Sequence, residues 1–439
     1  MTATAIILAA GFGTRMKSAI PKTLHAIAGK PMLRHLVDSC AEVFDRVVVV
    51  VGPETASVGR AAAPWPAVIQ HDRLGTAHAA LQAAAHFGDG EVAVLYADNP
   101  LITPDTLRRL LARRAEGDAG LALLAMCPAD PGRYGRVIGA GGFVERIVEY
   151  KDATEAERGI GLCNAGVLCA DAARMLAWLR AVGNDNAQKE FYLTDVVERA
   201  RAAGVLVAAV EAPEAELLGI NSRIELALAE GEVQRRLRAA AMEGGATLIA
   251  PETVFFSMDT VLAPDVTVGP NVVFGPGVVV ESNVEIRAFS HLEACHVRRG
   301  AIIGPFARLR PGADIGPGAH VGNFVEVKAS TLGAGVKANH LSYIGDASIG
   351  AGSNIGAGTI TCNYDGFSKH RTTIGANVFV GSDSVLVAPV TIGDGAMITA
   401  GSVITTNVEA DAMAFGRAQQ ITRPGRAAAF RAARTKEKK

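Results

Sequence analysis

Apolar residues recur every six positions through the second half of the chain. Leu262, Val268, Phe274, Val280, Ile286 and Leu292 follow without a miss. The series resumes as Ile303, Leu309, Ile315, Val321 and Val327, and again as Ile374, Val380, Leu386, Ile392, Ile398 and Ile404. A fixed short period of this kind implies a solenoid, whose coils are stable only when neighbours cover them. Hexads suit a triangular parallel β-helix: each hexad forms one face, with its apolar side chain inward and small or polar residues at the corner. The rhythm is expected to fail between Leu332 and Ile374, where the chain carries His340, Tyr343, Asn363, Tyr364 and Lys369. A repeat interrupted by such side chains predicts a site.

A chain of 439 residues exceeds one ordinary core, so several domains are expected. The first half alternates strand-like and helix-like segments: an apolar run at 5–10, a helical stripe at 31–44, a β-branched run at 47–51, then further strands at 91–96 and 121–126. That alternation predicts a parallel sheet with helices on both faces, with ligands beyond the carboxyl ends of its strands. A stretch rich in Ala, Leu, Glu and Arg at 221–245 reads as a helical linker. The expected division is therefore 1–220, 221–245 and 246–439.

Charge is nearly balanced, 43 Lys and Arg against 44 Asp and Glu, which argues against a general nucleic-acid binder. Only the end is lopsided, with Arg417, Arg423, Arg426, Arg431, Arg434, Lys436, Lys438 and Lys439 against Glu437. This tail reads as a solvated terminus or as a basic arm for a phosphorylated cofactor. Six cysteines without a metal-like cluster suggest reduced thiols and a cytoplasmic protein. No apolar run approaches the roughly 20 residues that span a bilayer, and no signal peptide is evident.

Two segments of the first half carry chemistry. Leu8, Ala9, Ala10, Gly11, Gly13, Thr14 and Arg15, followed by Pro21 and Lys22, make a Gly-rich turn with two cations behind it. Glycines let backbone N–H groups approach phosphate, while Arg and Lys neutralise its charge. The Gly-Lys-Ser/Thr ending of a Walker loop is absent, and Met16 stands where a dinucleotide fingerprint needs its third glycine. Asp98, expected at a strand's carboxyl end, suits an oxygen ligand of Mg²⁺. In the second half, His340 suits a general base. A zinc site would need three His in ligand geometry, and the spacing of His291, His296, His320, His340 and His370 suggests no obvious triad. A purely structural or trimerising β-helix remains a competing reading.

The first-half string resembles the signature of sugar-1-phosphate nucleotidylyltransferases, and further matches follow at Gln70 with Gly75 and Thr76, Tyr96 to Asp98, Tyr134 to Arg136, Glu149, Asn164 and Asn221. The second half adds Arg310, Val321 to Lys328, His340 to Tyr343, Asn354 to Ala357 and Thr361 to Tyr364. Together they resemble the bifunctional N-acetylglucosamine-1-phosphate uridyltransferase/glucosamine-1-phosphate acetyltransferase family over essentially the whole chain. The resemblance implies an α/β nucleotidylyltransferase (Rossmann-like) domain followed by a left-handed parallel β-helix of hexapeptide repeats. It implies that UTP lies over Leu8, Ala9, Ala10 and Gly11, with Arg15 and Lys22 on its phosphates and Gln70, Gly75 and Thr76 at the uracil. Gly135, Glu149 and Asn164 hold N-acetylglucosamine-1-phosphate, and Asp98 with Asn221 hold Mg²⁺.

For the second site the resemblance implies His340 as base, with Glu326 orienting its ring. Arg310 and Lys328 take the phosphate of glucosamine-1-phosphate, and Tyr343 and Asn354 its sugar. Ala357, Asn363, Tyr364, Ser382, Ala400 and Arg417 contact acetyl-coenzyme A, with the Ser382 N–H as the oxyanion donor. Lys369 and the basic tail are expected to reach the cofactor's phosphates. The family implies a homotrimer with its acetyltransferase sites where subunits meet. The alternative is a monofunctional nucleotidylyltransferase with a structural or effector-binding β-helix. Four departures from the family pattern stand out: Phe12 for Lys, Ala97 for Gly, Asn99 for Val, and Ala165 for Thr. The Ala97 methyl is expected to narrow the approach to the nucleotide.

Overall fold

The structure, a computed structural model, describes residues 2–11 and 13–436, excepting the side chain of Lys436. Phe12 and Glu437 to Lys439 lie outside the described residues. The chain divides into two compact units, Met1–Leu237 and Arg238–Lys439, with the division inside the helix Arg223–Glu243.

In the first unit, Ala3–Ala9 is the central strand, parallel to Arg46–Val51 on one side and Glu91–Tyr96 on the other. The sheet continues through Cys163–Asp171, Leu121–Met126 and Val207–Glu211 at one edge and ends with Ala67–Ile69 at the other. Successive residues point to opposite faces, so both faces must be covered by apolar elements. Ala5 and Ile7 pack with Leu33, Leu36, Leu107 and Leu110 on one face. Ile6 packs with Ala77, Ala80, Met175 and Val196 on the other.

Along the main path of the sheet, one strand departs from the expected parallel order. Cys163–Asp171 runs antiparallel to both Glu91–Tyr96 and Leu121–Met126. The chain from Met126 does not return through a helical crossover. It folds as the hairpin Arg136–Ala140 with Phe143–Val148, so it re-enters the sheet from the opposite end.

The second unit is the β-helix that the hexads predict. Three parallel sheets of 10, 8 and 8 strands enclose a core of inward residues such as Val268, Phe274, Val280, Ile286 and Leu292, all buried. Residues about 18 positions apart stack, as Val268 does on Ile286. We call the sheets C, D and E: a coil runs through C (Ile286), D (Leu292) and E (Val297).

Two expectations need correction here. First, the rhythm does not fail at Leu332. Ala338, Ile344, Ile349, Ile355 and Thr361 continue the inward ladder, all buried. Some corners take five residues instead of six: 292 to 297, 327 to 332 and 344 to 349 each turn on one left-handed residue, Ala294, Ala329 and Asp346. These short steps shift the phase of the count. Among the described residues of this unit's ladder, only 363–371, between the strands Ile360–Cys362 and Thr372–Ile374, loop out.

Second, the corners are not all small or polar. Between sheets C and D the turning residues include Phe289, Phe306, Phe324 and Leu341, all exposed and all with φ between +50° and +59°. A left-handed conformation costs an L-residue roughly 1–2 kcal/mol. The rings recover part of that by stacking: Phe289 on Phe306 at 4.9 Å and Phe306 on Phe324 at 5.1 Å. Aromatic pairs contribute about 0.5–1.5 kcal/mol each, so the ladder offsets the strain without clearly exceeding it.

Candidate functional sites

The first site forms where the central strand ends. After Ala9 the backbone turns through Gly13, at φ +63°. A Cβ at Gly13 would lie 2.5 Å from the Cβ of Lys22, so glycine is what lets Lys22 fold back against the turn. Its ammonium donates to Asp98 Oδ2 at 2.6 Å and to Asn221 Oδ1 at 3.0 Å. Arg15 Nη2 donates to the same Asn221 oxygen at 2.8 Å. The Ile220 N–H donates to the Asp98 carbonyl at 2.8 Å, which fixes the neighbouring Asn221 beside the carboxylate. Four residues expected to serve phosphate and metal thus form one cluster.

Six further first-site residues form two groups. Gln70 is buried, and its amide donates to the Gly75 carbonyl at 3.1 Å and faces His78 Nδ1 at 3.1 Å. Thr76 Oγ1 accepts from the Leu193 N–H at 2.8 Å. Elsewhere, the Asn164 N–H donates to the Gly135 carbonyl at 2.9 Å, and Gly135 lies against Glu149. Thr194 Oγ1 donates to Glu149 Oε1 at 3.3 Å, yet burial pushes the Glu149 carboxyl above the usual carboxylate range. Burial likewise pushes Asp195, next in sequence to Thr194, up to about 6, with Glu198 adding to it. Ala97 and Ala165 belong to the apolar core. The Ala97 methyl is therefore packed inward, which overturns the expectation that it narrows the approach to a nucleotide.

In the β-helix, Arg310 donates to Glu326 Oε1 at 2.7 Å, and Lys328 reaches both Asp346 oxygens at 2.9 and 3.1 Å. Asn363 Nδ2 donates to Asp346 as well. Lys369, on the looped segment, lies near enough to Lys328 that the two ammonium groups repel, and its pKa falls. The Tyr343 hydroxyl lies over Gly345 on the same face. The result is a group of three cations tempered by two carboxylates.

His340 stands apart from that group. Its exposed ring meets Asn323 Oδ1 through Nδ1 at 2.6 Å. Glu326, expected to orient this ring, bonds Arg310 instead. Among the described residues no hydrogen bond or ion pair joins His340 to the cationic group. From His340 a line of expected residues runs along the corner between sheets C and D. The Gly358 N–H donates to the His340 carbonyl, Asp383 N–H to Ala357, and Gly401 N–H to Ser382. Ala400 precedes Gly401, over which Arg417 lies. The Ser382 N–H meets no acceptor among the described residues. Asn354 lies on sheet C, paired with Lys337, and Tyr364 is exposed on the loop.

Asn323 and Asp346 carry contacts that the sequence reading assigned to no role. Their signal was present: they stand 17 and 18 residues from His340 and Lys328, one coil apart. Among the described residues no three His, Cys, Asp or Glu side chains gather as a metal site. No helix among them is long and apolar enough to cross a membrane.

Residues 5–252 match the MobA-like NTP transferase domain family, and residues 371–406 the bacterial transferase hexapeptide (six repeats) family. Bifunctional protein GlmU of Acidiphilium cryptum is 64% identical over 428 residues, covering 98% of each chain. That of Gluconacetobacter diazotrophicus is 67% identical over 440 residues, covering 99% of this chain and 95% of the relative. That of Granulibacter bethesdensis is 62% identical over 432 residues, covering 98% and 96%.

Proposed function

The chain belongs to the GlmU family of bifunctional proteins, and on that premise we propose that it makes UDP-N-acetylglucosamine in two steps. The β-helix transfers an acetyl group from acetyl-coenzyme A to the amine of glucosamine-1-phosphate. The α/β unit then joins N-acetylglucosamine-1-phosphate to uridylate from UTP and releases pyrophosphate. The observation that carries this reading is that one chain bears two separate clusters. Arg15, Lys22, Asp98 and Asn221 form one. The other pairs a hydrogen-bonded His340 with the cations Arg310 and Lys328, elsewhere on the β-helix.

In uridyl transfer a phosphate oxygen of the sugar attacks the α-phosphorus in line, and positioning with charge neutralisation does most of the work. Arg15 and Lys22 neutralise the departing pyrophosphate. Leu8 to Gly11 supply the backbone under the nucleotide, Gln70, Gly75 and Thr76 meet the uracil, and Gly135, Glu149 and Asn164 hold the sugar. The Asp98 carboxylate and the Asn221 amide oxygen fit Mg²⁺: both are hard oxygen donors, held side by side by Lys22. Bound there, Mg²⁺ would polarise the phosphates.

In acetyl transfer the sugar amine attacks the thioester carbonyl. His340 takes the amine proton and returns it to the departing thiolate, so protons balance. The free Ser382 N–H serves the developing oxyanion. Arg310 and Lys328 bind the sugar phosphate, with Lys369 nearby, and Tyr343 and Asn354 bind the sugar. Ala357, Asn363, Tyr364, Ala400 and Arg417 contact the cofactor. The family resemblance adds a homotrimer to this reading, with neighbouring subunits completing each site. Six unpaired thiols support a cytoplasmic setting.

A coupled assay tests this. Purified protein receives glucosamine-1-phosphate, acetyl-coenzyme A, UTP and Mg²⁺, and free thiol and pyrophosphate are followed separately. Release of both, with pyrophosphate dependent on acetyl-coenzyme A, is expected. Pyrophosphate from ready-made N-acetylglucosamine-1-phosphate without any thiol release would leave only the nucleotidylyltransferase.

A further inference from the structure

The inference rests on the reading of His340 as the base and concerns the atom that makes it one. A neutral imidazole carries its proton on one nitrogen and its lone pair on the other, and the partner of one decides the state of both. Nδ1 of His340 faces Asn323 Oδ1 at 2.6 Å. An amide oxygen only accepts, so Nδ1 carries the proton and Nε2 keeps the lone pair. A flipped amide would donate to Nδ1 and leave Nε2 protonated and unable to act.

Asn323 is well held for this task. It lies on the strand His320–Asn323 and pairs directly with His340 on the next coil. Its backbone carbonyl accepts from the Leu341 N–H at 3.0 Å, so side chain and main chain grip consecutive residues. The coils approach so closely beside it that a Cβ at Gly322 would lie 2.0 Å from the Asn339 carbonyl oxygen. Glu326, the carboxylate expected to orient the ring, is held by Arg310 at 2.7 Å, with Arg308 at 3.6 Å. His320 on the preceding coil lies close enough to feel the charge of both His340 and Lys337.

We propose that Asn323 is the positioning residue for His340, fixing the Nδ1–H tautomer and leaving Nε2 as the basic nitrogen. An amide does this without the negative charge that would stabilise imidazolium. The ring is thereby oriented with its Nε2 lone pair left available.

The test uses the full chain, measuring acetyl transfer by thiol release across pH and uridyl transfer by pyrophosphate release as an internal control. Asn323→Ala should lower kcat for acetyl transfer by about 10–100-fold, the range for lost support of a functional His. KM for glucosamine-1-phosphate and uridyl transfer should stay near wild type. Asn323→Asp, nearly isosteric, guards against a folding defect. It places a carboxylate on Nδ1 and should move the acid limb of kcat/KM upward by about one pH unit. Wild-type kcat in Asn323→Ala, or an unmoved pH profile in Asn323→Asp, would overturn the proposal. If His340→Ala still acetylates, the base assignment itself falls, and the proposal with it. If His340→Ala is inactive while both Asn323 variants behave as wild type, only the positioning role is lost.

Discussion

The two clusters are assembled in opposite ways. In the α/β unit, Lys22 meets Asp98 across 76 residues and Asn221 across 199, while Arg15 meets Asn221 across 206. In the β-helix, Arg310 meets Glu326 across 16 residues, His340 meets Asn323 across 17, and Lys328 meets Asp346 across 18. The first cluster exists only once nearly the whole unit has folded. The second is written coil by coil, since one turn of the solenoid brings each pair into register. Damage to a single coil should therefore stay local, while the first site should feel changes anywhere along the sheet.

The sharpest way to break this comparison is to remove one member from each cluster. His340→Ala should lower acetyl transfer by about 10³-fold and leave uridyl transfer intact, as loss of a general base does. Loss of both activities would sink the idea of independent sites. Asp98→Asn should lower uridyl transfer by about 10²-fold, because a charge at the transferring phosphate is lost. Thiol release in the same preparation should be unaffected, and a parallel fall would show the units to be coupled.

Stability sharpens it further. Phe306→Ala removes two ring contacts but keeps the left-handed strain, and Phe306→Gly removes both. Denaturant unfolding of the β-helix should show a loss of about 2 kcal/mol for Ala and about 1 kcal/mol for Gly. Equal losses would mean the corner is not strained.

The smallest effect lies in the α/β unit. Asp195, raised to about 6 by burial, is penalised when charged. That penalty is absent below the unfolded carboxylate's pKa near 4 and complete above 6, so stability falls as pH rises between them. Asp195→Asn should gain about 1 kcal/mol at pH 8 and nothing near pH 4, as measured by unfolding at the two pH values. A gain at both would assign the effect to packing.

Some of this was legible residue by residue. The inward ladder could be read from Val268 to Leu332 and again from Ile374 to Ile404, because a β-helix returns to the same orientation after each face. The strand runs at 47–51 and 91–96 could be read because a doubly covered strand is continuously apolar. Other features were hidden. The antiparallel entry of Cys163–Asp171 depends on a hairpin rather than a helix before it, and the local apolar pattern is the same for both directions. The hexad period shifts phase after Leu332 because some corners turn in five residues. The Ala97 methyl lies in the core because of sheet packing, which its sequence neighbours do not reveal.

By itself, the sequence determined the two architectures, since periods of six and of alternating strand and helix each admit few ways to bury apolar surface. The resemblance added the residue types of both reactions. Only the tertiary structure decided partners: that Lys22 bridges Asp98 and Asn221, that Glu326 belongs to Arg310, and that Asn323 holds His340. Partner choice turns on register and on a few tenths of a nanometre between side chains. Composition and spacing fix which groups are near, while packing fixes which atoms meet.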